Sequence, residues 1–265
     1  MKTCIVIGAH GFIGSAIVAE AQQRGYAVTA VDRDNYEAQR GASATLLINA
    51  NGNSRKFIDE RDPAQGFELS VSSVLNALLD FKFDQYIQIS SGAIYPREDN
   101  PQHNREDTPL QPAGMSPYGF HKWLAEQLVR HHAPRHLIVR LGGVVGPRLR
   151  KNALFDLLTG NPWFVHPDSE FQYMDTRDLA RALFTLHESQ LPAGTLLNLS
   201  ARGTISVRRM AEIANVSIPE SALACPQLRA ELNVERAASL LPLPSTEETI
   251  RRFIADVHSG DITLS

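Results

Sequence analysis

Tyr118 and Lys122 stand four residues apart in the run Ser116-Pro117-Tyr118-Gly119-Phe120-His121-Lys122-Trp123. On a helix opened by Pro117 they share one face. A lysine ammonium beside a phenol favours the phenolate, so the tyrosine can exchange a proton with a carbonyl or an alcohol near neutral pH. Upstream, Gln85 to Ile89 reads as a strand that ends in Ser90-Ser91-Gly92-Ala93-Ile94-Tyr95-Pro96. A serine hydroxyl at a strand end can hold the same oxygen. Amphipathic helices produce Tyr-x-x-x-Lys by chance, so the pair gains its meaning from what precedes it.

What precedes it is a glycine-rich turn. Cys4-Ile5-Val6-Ile7 reads as a buried strand, and Ser15 to Arg24 carries helical periodicity anchored on Ile17, Val18 and Ala21. Between them lies Gly8-Ala9-His10-Gly11-Phe12-Ile13-Gly14. Gly8 permits the tight turn, Gly11 lets a pyrophosphate approach the backbone, and Gly14 lets the helix pack closely on the strand. The helix N-terminus offers N–H groups and the positive end of its dipole to phosphates. A second strand, Ala27 to Val31, ends at Asp32, about 20 residues on, where a carboxylate accepts from adenosine ribose hydroxyls. Asp32 argues for NAD. Arg33 beside it suits a 2′-phosphate and keeps NADP as the alternative. Thr45 to Ile48 is a further strand candidate, followed by the polar turn Asn49-Ala50-Asn51-Gly52-Asn53-Ser54 at the end of the sheet where such folds bind ligands.

These stations together are similar to the extended short-chain dehydrogenase/reductase family, which includes NAD-dependent sugar epimerases and dehydratases, over nearly the full length of the chain. Ser91, four before Tyr95, matches the family's catalytic serine or threonine; Tyr118 and Lys122 match its catalytic tyrosine and lysine. Arg140-Leu141-Gly142-Gly143-Val144-Val145-Gly146-Pro147 resembles its Arg-x-x-Asn-Val-Tyr-Gly-Pro segment, and Gln172 to Ala180 and Asn198-Leu199-Ser200 resemble two later ones. The resemblance implies cofactor contacts at Gly8, Gly11, Phe12, Ile13, Gly14, Asp32, Arg33, Asn49, Ala50, Asn51, Tyr118, Lys122 and Val144. It also implies a homodimer through the Tyr118 helix and a neighbour. Asp178 is expected as a cap or helix-dipole partner.

Departures from the family narrow the chemistry. Gly92-Ala93 replaces the Asp-Glu pair of nucleotide-sugar 4,6-dehydratases, which removes the acid and base of water elimination. The same turn is similar to that of the GDP-fucose synthases, with Ala93 in place of their cysteine. Gly143 replaces the asparagine that contacts substrate. What remains is hydride transfer at a carbonyl or carbinol of a sugar, expected on a nucleotide-sugar, with Tyr118 as acid/base, Ser91 on the reacting oxygen and Lys122 on the nicotinamide ribose. A nucleotide-sugar 4-epimerase is the alternative; a non-catalytic NAD(P)-binding sensor is the alternative of another class.

Composition agrees with this. The 265 residues are 43% hydrophobic and 21% charged, as expected of a globular protein rather than a disordered or fibrous one. With 26 basic against 29 acidic side chains, a general nucleic-acid binder is not expected. Cys4 and Cys225 cannot supply a disulfide framework or a zinc cage, and Cys4 reads as a buried inert thiol. His131, His132 and His136 read as helix-end cations rather than a metal site. No metal, no membrane partner and a cytoplasmic location are expected. Arg148, Arg150 and Lys151 suit either a nucleotide diphosphate or a solvated basic face.

The expected fold is α/β, a doubly wound parallel Rossmann sheet with a small C-terminal substrate lobe. Residues 1–147, with a returning segment near 172–190, form the dinucleotide-binding domain, and 148–265 the lobe. The 17 residues from Asp32 to Asn49 are too few for a full strand–helix excursion, so the usual third strand is expected to be reduced or missing. The loop Asp99 to Pro112 is expected over the cofactor site, and Ser245 to Glu248 as a capped start of the last helix.

Overall fold

The near-continuous apolar runs of the N-terminal half become the strands of a parallel sheet covered on both faces. The computed structural model describes residues 2–53, 56–189 and 191–264. Ser54, the last residue of the expected polar turn, lies outside them. The chain divides into two compact units: Met1–Pro96, Glu106–Leu141 and Ala180–Asn198 in the first, Arg97–Arg105, Gly142–Leu179 and Leu199–Ser265 in the second.

The first unit carries strands β1 (Thr3–Ile7), β2 (Ala27–Val31), β3 (Ser43–Asn49), β4 (Lys82–Ser91), β5 (His136–Leu141) and β9 (Thr195–Leu199) in the order β2-β1-β3-β4-β5-β9. Pairing from β2 through β5 is parallel, with Ile7 opposite both Val31 and Asn49. Helices α1 (Gly14–Gln23), α2 (Tyr36–Gln39), α3 (Lys56–Arg61), α4 (Pro63–Phe67), α5 (Ser73–Asp80), α6 (Pro117–His132) and most of α8 (Thr176–Glu188) join the strands. A π-helical turn, Glu68–Ser72, links α4 to α5. On one face Ile5, Ile7, Leu47 and Ile138 pack with Val74, Ala77, Ala125 and Val129 of α5 and α6. The alternate residues Cys4, Val6, Leu46 and Ile48 are as fully buried and point the other way. Burial pushes the Cys4 thiol up to about 12, so it stays protonated.

The excursion after Asp32 holds a single helical turn, α2, and then β3, which pairs directly with β1. The strand β2 therefore stands at the edge of the sheet. Three sheet strands and a helix are stapled by buried polar groups. Glu126 of α6 accepts from Ser90 Oγ at 2.7 Å and from Arg140 Nε and Nη2 at 2.9 and 2.7 Å. Arg140 Nη1 donates to the Tyr95 hydroxyl at 2.8 Å, which donates to Asn198 Oδ1 at 2.9 Å.

The second unit is built on short strands: β6 (Gly143–Val145) beside β8 (Tyr173–Asp175), and β7 (Glu170–Phe171) between β10 (Ile205–Ser206) and β11 (Arg229–Ala230). Its helices are α7 (Ala153–Thr159), α9 (Val207–Ala214), α10 (Glu235–Ala238) and α11 (Thr246–His258). The capped start of α11 has the expected form: Glu248 N donates to Ser245 Oγ and Ser245 N to Glu248 Oε2. Asp178 lies in the first turn of α8. The expected loop from Asp99 is anchored by Asn104, fully buried, whose amide donates to Glu231 O at 2.6 Å and accepts from Asn233 N at 2.7 Å. His136 is not a helix-end cation. It begins β5, buried, with Nδ1 facing Ala133 O at 2.6 Å, because the helix stops before the strand that claims it. Among the described residues no helix is long and apolar enough to cross a membrane.

The buried Glu126–Arg140 pair yields a stability prediction. Glu126→Ala leaves a guanidinium buried without its counter-charge and should cost about 3–5 kcal/mol. Replacing both partners with leucine and methionine should recover most of that loss. Urea unfolding of the three proteins measures it.

Candidate active site

Two backbone close approaches set the geometry. A Cβ on Gly14 would lie 1.9 Å from Gly8 O, so the first turn of α1 rests directly on the loop that leaves β1. Gly8 itself has φ +76° and donates its N–H to Val31 O at 2.8 Å. Its missing side chain lets the polar turn come near: a Cβ there would be 3.1 Å from Asn51 N. Ile13, the N-cap of α1, offers no capping side chain, and the first turn of the helix holds no acidic residue. That leaves its N-terminus to an anion. Gly11 is exposed, and Phe12 and Ile13 half-buried, on the same loop.

Asp32 ends β2. Its carboxylate accepts from His10 N at 3.1 Å and pairs with the His10 imidazole, which draws the edge of the glycine loop toward β2. Arg33 is exposed beside it. The turn 32–35 is held by Asn35, which accepts from Asp32 N at 2.8 Å and donates to Ala30 O at 2.9 Å.

The second close approach lies at Gly119, where a Cβ would fall 2.2 Å from Ala93 O. The start of α6 thus sits on the turn Gly92–Ile94 that follows Ser91. Ser116 caps α6 by accepting from Gly119 N, and Pro117 takes its first position. Ser91 accepts from Ala93 N at 3.2 Å, and its hydroxyl hydrogen has no acceptor among the described residues. It remains a donor for a ligand oxygen.

Tyr118 is half-buried and Lys122 buried, and Lys122 Nζ lies 5.9 Å from the Tyr118 ring centre. Lys56, which the sequence did not single out, brings a second ammonium to 5.7 Å from the same ring. Lys122 Nζ makes no hydrogen bond among the described residues. It lies against the Gly52 backbone, where a Cβ would be 2.6 Å away. Burial lowers its pKa from 10.5 to about 8, opposed by the charges of Asp59 and Glu126.

Of the polar turn, Asn49 is wholly enclosed. It donates to the Tyr86 hydroxyl at 2.8 Å and accepts from Asn51 N at 3.0 Å, so its side chain shapes the turn. Ala50 and Asn51 are half-buried. The first unit therefore gathers the glycine loop, Asp32, Arg33, the polar turn, Ser91, Tyr118 and Lys122 at the carboxyl ends of its strands. Val144 is half-buried on β6 in the second unit. Asn53 of the polar turn forms a buried cluster beside Lys122 with Asp59 and His121, which the sequence did not single out; Asp59 lies in an ordinary-looking run of charges, and His121 carried a signal only as the neighbour of Lys122.

Residues 4–69 and 68–200 match the model of the NAD dependent epimerase/dehydratase family. The chain belongs to that family. It is an NAD(P)-dependent enzyme of the extended short-chain dehydrogenase/reductase type. No curated protein matches the sequence. Among solved structures, a UDP-glucose 4-epimerase of Thermotoga maritima with UDP-glucose is 17% identical with a TM-score of 0.76, over 98% of this chain and 99% of that one. A dTDP-4-dehydrorhamnose reductase of Bacillus anthracis in complex with NADP is also 17% identical, TM-score 0.76, over 97% and 99%. A UDP-glucuronic acid 4-epimerase of Bacillus cereus with UDP-glucuronic acid and NAD gives 17% and 0.74, over 97% and 100%. At these identities the likeness is one of fold.

The site fits a dinucleotide on its own geometry. The glycine cradle leaves no room for a Cβ at Gly14, the α1 N-terminus has no side-chain cap, and Lys122 Nζ makes no hydrogen bond among the described residues. Burial of Lys122 also has a thermodynamic sign. The folded state binds fewer protons than the unfolded one between about pH 8 and 10, so stability rises with pH across that window. Lys122→Met should therefore stabilise the ligand-free protein at pH 7 by about 3 kcal/mol, at about 1.4 kcal/mol per pKa unit. The gain should vanish only above about pH 11, past the unfolded pKa; unfolding curves at pH 7 and about pH 11 test it.

Proposed function

We propose that this enzyme transfers hydride between NAD(P) and a carbonyl or carbinol carbon of a sugar carried on a nucleotide, acting as a ketoreductase. The observation that carries the reading is the seating of the Tyr118–Lys122 helix on the turn after Ser91 at Gly119, with the Ser91 hydroxyl hydrogen uncommitted among the described residues. The glycine loop and the α1 N-terminus hold the pyrophosphate, and Asp32 the adenosine ribose. Asp32 favours NAD, and Arg33 provides for NADP. Asn51 and Ala50 offer backbone to the ribose and phosphates. Bound there, the nicotinamide gives or takes the hydride.

The remaining chemistry belongs to the chain. Ser91 donates to the substrate oxygen and orients it. Tyr118 Oη passes its proton to that oxygen in reduction and takes it back in oxidation. Lys122 holds the nicotinamide ribose, and with Lys56 it surrounds the Tyr118 ring with positive charge, which favours the phenolate in the oxidative direction. A homodimer through α6 and α5 completes the reading; Leu79 of α5 is 62% exposed and gives such an interface an apolar contact.

Tyr118→Phe keeps the ring and removes the proton. It should leave NAD and NADP affinity within about twofold and lower turnover by about 10²-fold or more. Titration of cofactor binding and the NADH or NADPH absorbance with a panel of nucleotide-linked keto sugars measure both. Unchanged turnover removes Tyr118 from its role. Inversion of a sugar carbon without net absorbance change identifies an epimerase, and cofactor bound but never consumed or regenerated identifies a sensor.

A further inference from the structure

Asp59 is fully buried on α3, and both of its oxygens are held. Oδ1 lies 2.6 Å from His121 Nδ1, and Oδ2 accepts from the Asn53 amide. The carboxylate is sealed from above by Gly66 of α4, where a Cβ would lie 2.7 Å from Oδ1. The Phe67 ring meets the His121 ring edge-on at 5.8 Å. Gly52 and Asn53 are neighbours in the chain, as are His121 and Lys122. A ring of contacts therefore closes: Lys122 Nζ against Gly52, Asn53 to Asp59, Asp59 to His121, and back along α6 to Lys122.

Among the described residues, Glu126, Asp59 and Lys56 bring charge to the surroundings of Lys122 and the Tyr118 ring. Glu126 lies one turn along α6, but Arg140 of β5 binds both its oxygens and offsets its charge. Lys56 adds positive charge at the Tyr118 ring. Tyr118 is one turn back on the same helix. The polar turn brings the Gly52 backbone. Asp59 differs from Glu126 because its partners are a neutral amide and an imidazole.

We propose that Asp59 is a positioning residue: gripped by Asn53 and His121, it locks the Gly52 turn to α6 and supplies the negative charge against which the Lys122 ammonium is held. Asp59 touches no reacting atom in this arrangement. Its effect passes through the position and protonation of Lys122, so the inference rests on the place given to Lys122 in the proposed reaction. Loss of the Asp59 charge removes the larger of the two opposing influences on a lysine that burial already drives toward neutrality.

Competitive acylation of the ligand-free protein with acetic anhydride, followed by mass spectrometry of the Lys122 peptide from pH 6 to 11, reads the protonation of Lys122 without cofactor or substrate. In the unaltered chain the midpoint should be about 8. Asp59→Asn, which keeps the size of the side chain and one acceptor oxygen while removing the charge, should lower it by about one unit or more. His121→Asn retains an N–H near the position of Nδ1 and should hold the original midpoint, whereas His121→Leu should shift it. The upper limb of the pH–turnover profile should move with the midpoint in each protein. An unaltered chain in which Lys122 titrates as an ordinary surface lysine overturns the proposal, even if Asp59→Asn does not fold. So does a folded Asp59→Asn protein whose midpoint stays in place, whatever its overall activity. A shifted midpoint in a protein that binds no NAD(P) supports the clamp and overturns the cofactor reading instead.

Discussion

A lysine ammonium buried with no hydrogen bond among the described residues is the constraint to which the first unit of this protein is built. Burial of a charge is costly unless the fold provides compensation. Here the compensation is electrostatic: Asp59 and Glu126 lie near enough to oppose the loss of hydration, though not to cancel it. Such a group is stable only in a fold that prevents its side chain from swinging to water. The Gly52 turn on one side and the body of α6 on the other do that. The result is a cation held ready for an acceptor, with its desolvation already met by the energy of folding.

The rest of the site follows from backbones brought into contact. At Gly14 and Gly119 a single added carbon would collide with a carbonyl oxygen, so the chain meets itself where no side chain can intervene. The first contact seats a helix N-terminus on the loop after β1. The second seats the tyrosine helix on the turn after Ser91. Neither would hold its register if β4, β5 and α6 could slide. The buried chain from Ser90 through Glu126 and Arg140 to Tyr95 and Asn198 prevents it, because any displacement leaves a desolvated polar group without its partner.

Much of this could be read from the residues in order. The glycine loop announced itself by spacing, the strands by runs of apolar residues, and Ser91, Tyr118 and Lys122 by position relative to those strands. The shortened segment after Asp32 was visible as chain length, and it leaves β2 at the sheet edge with a single helical turn behind it. Asp59 was not visible. Its neighbours Glu60, Arg61 and Asp62 are charged and ordinary, and nothing in that run says that one carboxylate turns inward. His136 misled for a related reason: three nearby histidines suggest a common setting, whereas two end a helix and the third begins a buried strand.

The sequence by itself determined the parallel sheet, the glycine cradle and the placement of Tyr118 and Lys122 one turn apart on a helix, because each depends on local periodicity or on residues close in the chain. Only the tertiary structure decided what surrounds that pair. Asp59 and His121 are 62 residues apart, and Tyr95 and Asn198 are 103 apart. No local pattern encodes such pairings. They arise when packing excludes water and each buried polar atom must find a partner among those the fold has brought within reach.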